Sequence, residues 1–264
     1  MNTARNTACL LLPLSLAIAP YAAAQSAQSV TASVESQDFT DGRGSLRTGT
    51  LEYKIDLGDT TVVASPTIGT RRVAGTSATA TAVGGAVYHD WSDRVSTRTQ
   101  AFVAEEEPVF AHLDFAQDVT VKVIESTTVT AGARWAEYFA GREVTFFSLG
   151  ARRYFKGGSV AYRLTRVNPD NRSAYFGHLA SLNVNDGHGK GKTQLWLSTG
   201  ATSATRLQLE GDLAGKDRAL ILQRTQPLSD KLSLIALAGV SSYANPGNRV
   251  SSTTFGLGLS VAID

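Results

Sequence analysis

The feature that most constrains this chain is a strict alternation of apolar with small or polar residues in short segments. In the last segment, "STTFGLGLSVAID" (252–264), every second residue from Phe255 to Ile263 is apolar, and the residues between them are glycine, serine or alanine. Because successive side chains of a strand point to opposite faces, this pattern predicts a β-strand with one apolar face.

The same alternation recurs along most of the chain. In "GTLEYKIDL" (49–57), Leu51 and Tyr53 lie on the apolar parity, and charged residues occupy the other. Turn-forming runs such as "DGRG", "KGG" and "ANPGN" separate the segments at short intervals. Many short strands with regular turn signals predict an all-β sandwich or barrel.

Fifteen segments of the sequence are candidate strands. The weakest of them are 28–38 and 204–211, and because bacterial single-chain barrels have an even number of strands, at least one candidate is not a strand. We therefore predict one domain over residues 25–264, an antiparallel up-and-down transmembrane β-barrel of about 12–14 strands. The candidates lie near 28–38, 45–57, 60–71, 77–89, 94–104, 109–117, 127–139, 143–155, 159–168, 173–184, 193–199, 204–211, 217–226, 231–243 and 249–263.

Two features of the strands favour a membrane barrel over a soluble sandwich. Charged residues stand in mid-strand on the minor face, as in the row Glu52, Lys54 and Asp56, which suits a wet interior. Aromatic residues cluster near the ends of predicted strands, where the interfacial belts of a membrane barrel place them. These clusters are Tyr88 and Trp91; Trp135, Tyr138 and Phe139; Tyr154 and Phe155; Tyr175 and Phe176; and Tyr243.

The first 24 residues have the composition of a secretory signal peptide. A positive residue, an apolar stretch and the small-residue run Ala22–Ala24 follow one another, so we expect cleavage before Gln25. The one cysteine, Cys9, lies in this segment, which excludes a disulfide scaffold or a thiolate metal site from the mature chain. A formal net charge of +2 gives no basic excess for nucleic acid.

The sequence resembles the YaiO family of bacterial outer-membrane β-barrels. The resemblance is carried by "REVTFFSLGARRYFKGGSVAYRLTRV" (142–167), by "DGRG" and "TVTAGARWAEYF" before it, and by "GLGLSVAID" at the end. It implies a Gram-negative outer-membrane protein with a link to surface polysaccharide, and it supplies no catalytic residues. One departure concerns assembly, since such barrels usually end in an aromatic residue and this sequence ends in Ile263-Asp264.

Charged residues on the minor faces are the candidates for lining the barrel interior, where rows of charge set the field that a solute experiences. No connection of obvious plug size is visible, so we expect some opening, at a strand number between the packed eight-stranded barrels and the open barrels of sixteen or more. The predicted lumen-lining residues are Glu52, Lys54, Asp56, Arg98, His112, Asp114, Arg152 and Arg163.

Catalytic chemistry has little support in the sequence. His178 and Ser181 differ in parity and cannot form a dyad within one strand. His112 and Asp114 share a parity and would need a serine from another strand. His89 is assigned to a turn and His188 to a loop. No metal-ligand cluster and no cofactor are predicted, because no histidine pair has metal-ligand spacing.

The first functional hypothesis is an outer-membrane channel or envelope protein linked to the passage of exopolysaccharide. The alternatives are a barrel hydrolase acting on lipid or lipopolysaccharide, and a structural or adhesive barrel without transport. The expected partners are outer-membrane lipid and lipopolysaccharide, the barrel-assembly machinery and surface polysaccharide, and nucleic acid is not among them.

Overall fold

The described residues of the chain fold into fourteen antiparallel strands. The computed structural model describes residues 28–40, 42–170, 173–186, 191–200, 217–245 and 248–263. The strands are β1 (Gln28–Phe39), β2 (Ser45–Asp56), β3 (Thr60–Val73), β4 (Thr76–Ser92), β5 (Val95–Ala104), β6 (Leu113–Ile124), β7 (Thr127–Tyr138), β8 (Arg142–Phe155), β9 (Gly158–Pro169), β10 (Tyr175–Asn185), β11 (Lys192–Thr199), β12 (Asp217–Pro227), β13 (Leu232–Asn245) and β14 (Asn248–Ile263).

The strands close into a barrel. Each strand pairs with its neighbours in sequence, and β14 pairs with β1 so that Ile263 lies opposite Gln28. Closure leaves no unpaired sheet edge, which is the condition for a sheet to cross a bilayer. The predicted antiparallel barrel of 12–14 strands is confirmed, and its first strand is real although its sequence signal was weak. The candidate strand 204–211 lies outside the described residues. Within the described part of the chain, no helix is long and apolar enough to cross a membrane.

The alternating residues separate into an outer and an inner face. On β14, Phe255 and Leu257 are 61% and 60% exposed on the outside, whereas Ser252 on the opposite parity is 3% exposed. The same division holds for β2, where Leu51 and Tyr53 are exposed and Leu46 is buried. The apolar parity of the sequence is thus the outer surface of the barrel, and the other parity faces the interior.

The two ends of the barrel differ in their connections. The turn end, where β1 begins and β14 ends, has connections as short as residues 93–94, 125–126 and 156–157. The opposite end, the loop end, has the longest fully described connection, residues 105–112. Longer connections on one side are typical of the external side of membrane barrels.

Four of the nine predicted belt aromatics whose side chains the structure describes point into the barrel: Tyr88, Tyr138, Tyr154 and Tyr175. Trp91 and Phe155, near the turn end, and Phe176, near the loop end, are exposed on the outer face. Tyr138 is 1% exposed and lies inside the barrel. Adjacent aromatic residues in a strand occupy opposite faces, so the pairs Tyr154–Phe155 and Tyr175–Phe176 each supply one ring to the belt and one to the interior.

Candidate functional site: the barrel lumen

The predicted row on β2 lies near the turn end of the inner face. Glu52 and Lys54 alternate with the exposed Leu51 and Tyr53, which places their side chains on the interior parity. Asp56 accepts a hydrogen bond from the Gly58 amide at 3.2 Å, so it stabilises the tight turn into β3. Glu52 and Lys54 of this row therefore belong to the lumen surface, whereas Asp56 belongs to the turn.

Asp118 connects two of the predicted lumen arginines. Its Oδ2 lies 3.7 Å from an Arg98 guanidinium nitrogen on β5 and 3.6 Å from one of Arg163 on β9. The pair with Arg163 spans the two intervening strands. Gly132 on β7 makes this possible, because a Cβ there would lie 2.9 Å from Ser148 Oγ and still closer to Asp118. A glycine thus opens the path for an ion pair across the wall.

A second ion pair lies nearer the loop end. Asp114 on β6 is 3% exposed and accepts one bifurcated hydrogen bond from Arg134 Nε–H, at 2.9 Å to Oδ1 and 3.0 Å to Oδ2, and a second hydrogen bond from the guanidinium terminus. The Arg134 guanidinium also lies 5.0 Å from the centre of the Phe146 ring. Bidentate geometry and stacking fix both side chains.

The connection between β5 and β6 folds into the lumen at the loop end. Its apolar residues Val109 and Phe110 are 0% and 1% exposed and pack on inward side chains of β2, β4 and β5. Gly69 on β3 leaves room for them, since a Cβ there would lie 2.8 Å from Val109 Cγ1 and closer still to the Phe110 ring. We call residues 108–111 the plug segment.

The plug segment also anchors on the other side of the lumen. Ala111 is buried in a cluster with Tyr138, Phe146 and Val167, from β7, β8 and β9. No connection of obvious plug size was visible in the sequence, and the eight-residue connection 105–112 nevertheless places residues 108–111 inside the barrel. A strand was predicted from 109, but the strand begins at Leu113 because residues 109–111 are turned inward instead of alternating.

Uncharged amides line another part of the lumen. Gln223 Nε2 on β12 donates to Gln194 Oε1 at 3.4 Å, and Gln194 Nε2 on β11 donates to Asn183 Oδ1 at 2.8 Å. The ladder continues from Asn183 to Ser159 Oγ on β9 at 3.2 Å, and Arg152 donates to the same hydroxyl at 3.3 Å. This amide ladder crosses four strands.

The histidines do not assemble a hydrolytic site among the described residues. His112 lies in the β5–β6 connection, where its Nδ1 is 2.8 Å from the Ala104 carbonyl oxygen, while Asp114 is held by Arg134. His178 faces outward and contacts Tyr162 Oη at 2.6 Å, whereas Ser181 is buried on the inner face.

Two further outcomes concern the remaining histidines. His89 lies within β4 and not in a turn, with its Nδ1 2.8 Å from Thr60 Oγ1 and its ring packed edge-on against Trp91. His188 lies outside the described residues.

Sequence reasoning missed Asp118, Arg134 and the plug segment. The alternation of Val119 with Val121 and Val123 was a signal that the strand continued past 117. Arg134 is surrounded by alanine and glycine on its parity, so no charged row marked it. Three successive apolar residues after Pro108 were the signal of a segment that does not alternate.

Comparisons with known proteins agree with this architecture. The family model described as "YaiO membrane beta barrel domain" matches residues 27–205. Among solved structures, the CymD monoaromatic hydrocarbon channel is similar with a TM-score of 0.65 at 6% identity, covering 90% of this chain and 89% of that one.

Two other solved structures have the same fold. A TodX deltaS2S3 mutant monoaromatic hydrocarbon channel is similar with a TM-score of 0.59 at 8% identity, covering 97% of this chain and 95% of that one. A bacterial polysaccharide outer membrane secretin is similar with a TM-score of 0.55 at 8% identity, covering 91% and 99%. At these identities, the likeness concerns the fold.

Proposed function

Because the chain belongs to the YaiO family of membrane β-barrels, we propose that this outer-membrane β-barrel is a channel for polar, hydroxyl-rich solutes, of which surface polysaccharide is the example that the family resemblance implies. The observation that carries the proposal is the amide ladder on the inner wall. Amides and hydroxyls both donate and accept hydrogen bonds, which suits sugar hydroxyls better than it suits ions.

The size of the barrel supports a channel of limited width. Eight strands leave an interior filled by side chains, and sixteen or more leave an aqueous channel. Fourteen strands fall between these limits, and the plug segment fills part of the space at the loop end. We infer a narrow path along the wall opposite the plug contacts, with the plug segment as its constriction.

The proposed orientation places the loop end outside the cell and the turn end in the periplasm of a Gram-negative bacterium, since longer connections are external in such barrels. The polar inner row Glu52, Lys54 and Asp56 is then at the periplasmic mouth, and the plug segment at the external mouth. In this arrangement, a solute that enters from the periplasm passes the charged row on β2 first and the plug segment last.

Conductance measurements test the proposal. Purified, refolded protein is inserted into planar bilayers, and into liposomes whose swelling is followed in isotonic solutions of neutral mono- and oligosaccharides. We expect discrete conductance steps and swelling whose rate falls with the size of the sugar. Absence of both, with heat-modifiable migration confirming a folded barrel, would contradict the channel.

The plug segment can be tested separately from the channel. Phe110→Ala removes the ring that fills the space above Gly69 and should increase conductance. Phe147→Ala is the matched control, because Phe147 is 53% exposed on the outer face of β8. If both variants conduct like the unaltered protein, the plug segment is not the constriction.

The two other hypotheses give different results in the same assays. A hydrolase would change the lipid profile of the liposomes, and His112→Ala would abolish that change. A structural or adhesive barrel would show neither current nor turnover. The contacts of His112 and Asp114 with Ala104 and Arg134 provide no positive support for hydrolysis.

A further inference from the structure

A depression of about 500 Å³ lies in the wall of the barrel where β1, β2, β3 and β14 meet. Gly49 lies at its centre, because a residue without a side chain stands in a row of large apolar neighbours. In that row Val34 pairs with Gly49 and Leu257, and Gly49 pairs with Ile68. The depression is therefore apolar, open to the outside of the barrel, and of a size typical of ligand sites.

Two arginines stand on the outer face at the loop-end side of this depression. Arg47 is two residues from Gly49 along β2, and Arg72 on β3 lies diagonally across from Arg47, whose direct partner is Thr70. Both residues are exposed. Within the described part of the chain, neither guanidinium makes a hydrogen bond or an ion pair. Diagonal neighbours of this kind are about 7–8 Å apart, close enough to share one ligand.

One carboxylate lies on the outer face nearby, since Glu35, which also lines the depression, belongs to the parity that faces the interior. Asp38 on β1 faces outward and pairs with Ser45, which in turn pairs with Arg72. It forms no ion pair with either arginine among the described residues. The outer-face cluster of Arg47, Arg72 and Asp38 therefore has two positive charges and one negative charge. Its net positive charge attracts an anion to the loop-end side of the apolar groove.

We infer that this groove binds a phosphorylated lipid of the outer leaflet, with an acyl chain against Gly49 and a phosphate on Arg47 and Arg72. The inference rests on the proposed orientation of the barrel, in which the loop end is external. In that orientation the arginines lie at the level of the lipid phosphate, and the apolar groove lies at the level of its acyl chains. Guanidinium groups bind phosphate in bidentate geometry.

A lipid is favoured over free phosphate because the apolar depression and the arginines are contiguous. Ser36, Arg47, Thr70 and Phe255 form the row next to that of Gly49, so the charged and apolar parts share one surface. Free phosphate has no apolar part that could occupy the groove. It would bind to the arginines alone and would be insensitive to the shape around Gly49.

The test uses the full barrel in detergent and measures binding of bisphosphorylated lipid A by native mass spectrometry. Arg47→Gln/Arg72→Gln should weaken binding about a hundredfold, because it removes two charge-assisted hydrogen bonds that are each worth about tenfold. Arg166→Gln/Arg218→Gln is the matched control, because both of these arginines are exposed on outer positions near the loop end of other strands. We expect less than about a twofold change from it.

Two further variants separate the acyl and phosphate contributions. Gly49→Leu fills the groove, and its Cβ meets Ile68 Cγ2 at an ordinary 3.6 Å, so the barrel tolerates it. It should weaken binding of bisphosphorylated and dephosphorylated lipid A alike. Asp38→Asn should strengthen binding of the phosphorylated form alone.

The outcomes decide between the sources of the ligand. Equal losses from both arginine pairs would overturn the inference, because the attraction would then be general surface charge. Competition by millimolar inorganic phosphate together with no effect of Gly49→Leu would also overturn it and identify a simple anion site. Conductance of the same variants is measured in parallel. Lipid binding without conductance would overturn the proposed channel while leaving this inference standing.

Discussion

The inner walls formed by β5–β9 and by β10–β14 differ sharply. The first carries ion pairs and contacts the plug segment, as shown by Asp118 with Arg98 and Arg163 and by Asp114 with Arg134. On the second, Lys192 is the one charged residue among the described inward side chains. The rest of that wall consists of amides, hydroxyls, small residues and a few apolar side chains.

The difference shows how the proposed channel divides its lumen between a wall held by ion pairs and a wall of neutral hydrogen bonds. Ion pairs between neighbouring strands, and one between β6 and β9, hold the first wall in one geometry, and the plug segment packs on it through apolar contacts. The second wall satisfies its polar groups through neutral hydrogen bonds, as between Gln194 and Asn183. Neutral hydrogen bonds exchange with a polar solute at lower cost than buried ion pairs do. The proposed solute path therefore follows the second wall.

The largest expected effect comes from breaking the buried ion pair of the first wall. Arg134→Ala leaves the carboxylate of Asp114, which is 3% exposed, without its partner. Loss of one member of a buried pair typically lowers the free energy of unfolding by about 3 kcal/mol or more. Urea unfolding in detergent micelles measures it.

The control for this prediction is Arg134→Ala combined with Asp114→Ala, which removes both charges and should recover part of the loss. If Arg134→Ala alone changes stability by less than about 1 kcal/mol, the first wall is not braced by this pair. The contrast between the walls would then rest on the plug segment and on the ion pairs of Asp118 with Arg98 and Arg163.

A smaller effect is expected where the plug segment meets β3. Gly69→Val forces a side chain into the space of Phe110 and Val109, and such overpacking costs about 2 kcal/mol. In a Phe110→Ala background the added side chain has room, so the same substitution should cost much less. The double-mutant cycle measures this coupling. Additive effects would show that Phe110 does not rest on Gly69.

The smallest effect is expected on the second wall. Gln194→Leu leaves Asn183 Oδ1 without its donor, at a cost of about 1 kcal/mol for one neutral hydrogen bond. The change in liposome swelling with neutral sugars should be larger than the change in stability. If Gln194→Leu destabilises as strongly as Arg134→Ala, the two walls are braced alike and the comparison fails.

Much of the fold was predictable because it depends on local periodicity. The alternation on β14 and β2 determined which residues face outward, and the structure follows it at Phe255, Leu257 and Leu51. The strand number came out within the predicted range because turn residues mark strand ends. The plug segment escaped prediction because a few inward-turned residues after Pro108 resemble the start of a strand.

The contents of the lumen were predictable only in part. The parity of Arg98, Arg152 and Arg163 was readable, but their partners were not. Asp118 meets Arg163 because two intervening strands and Gly132 bring them together. Such a contact depends on the register of four strands, which no local pattern encodes.

The sequence by itself determined that this chain is an antiparallel barrel with an apolar exterior, since a period of two residues fixes the face of every side chain. Only the tertiary structure decided which side chains fill the barrel and which residues form the groove on its outer surface. Closure brings β14 against β1, and thereby places Leu257, Val34 and Gly49 in one row. Residues that are distant in sequence become neighbours through strand register, and that register is set by the whole closed sheet.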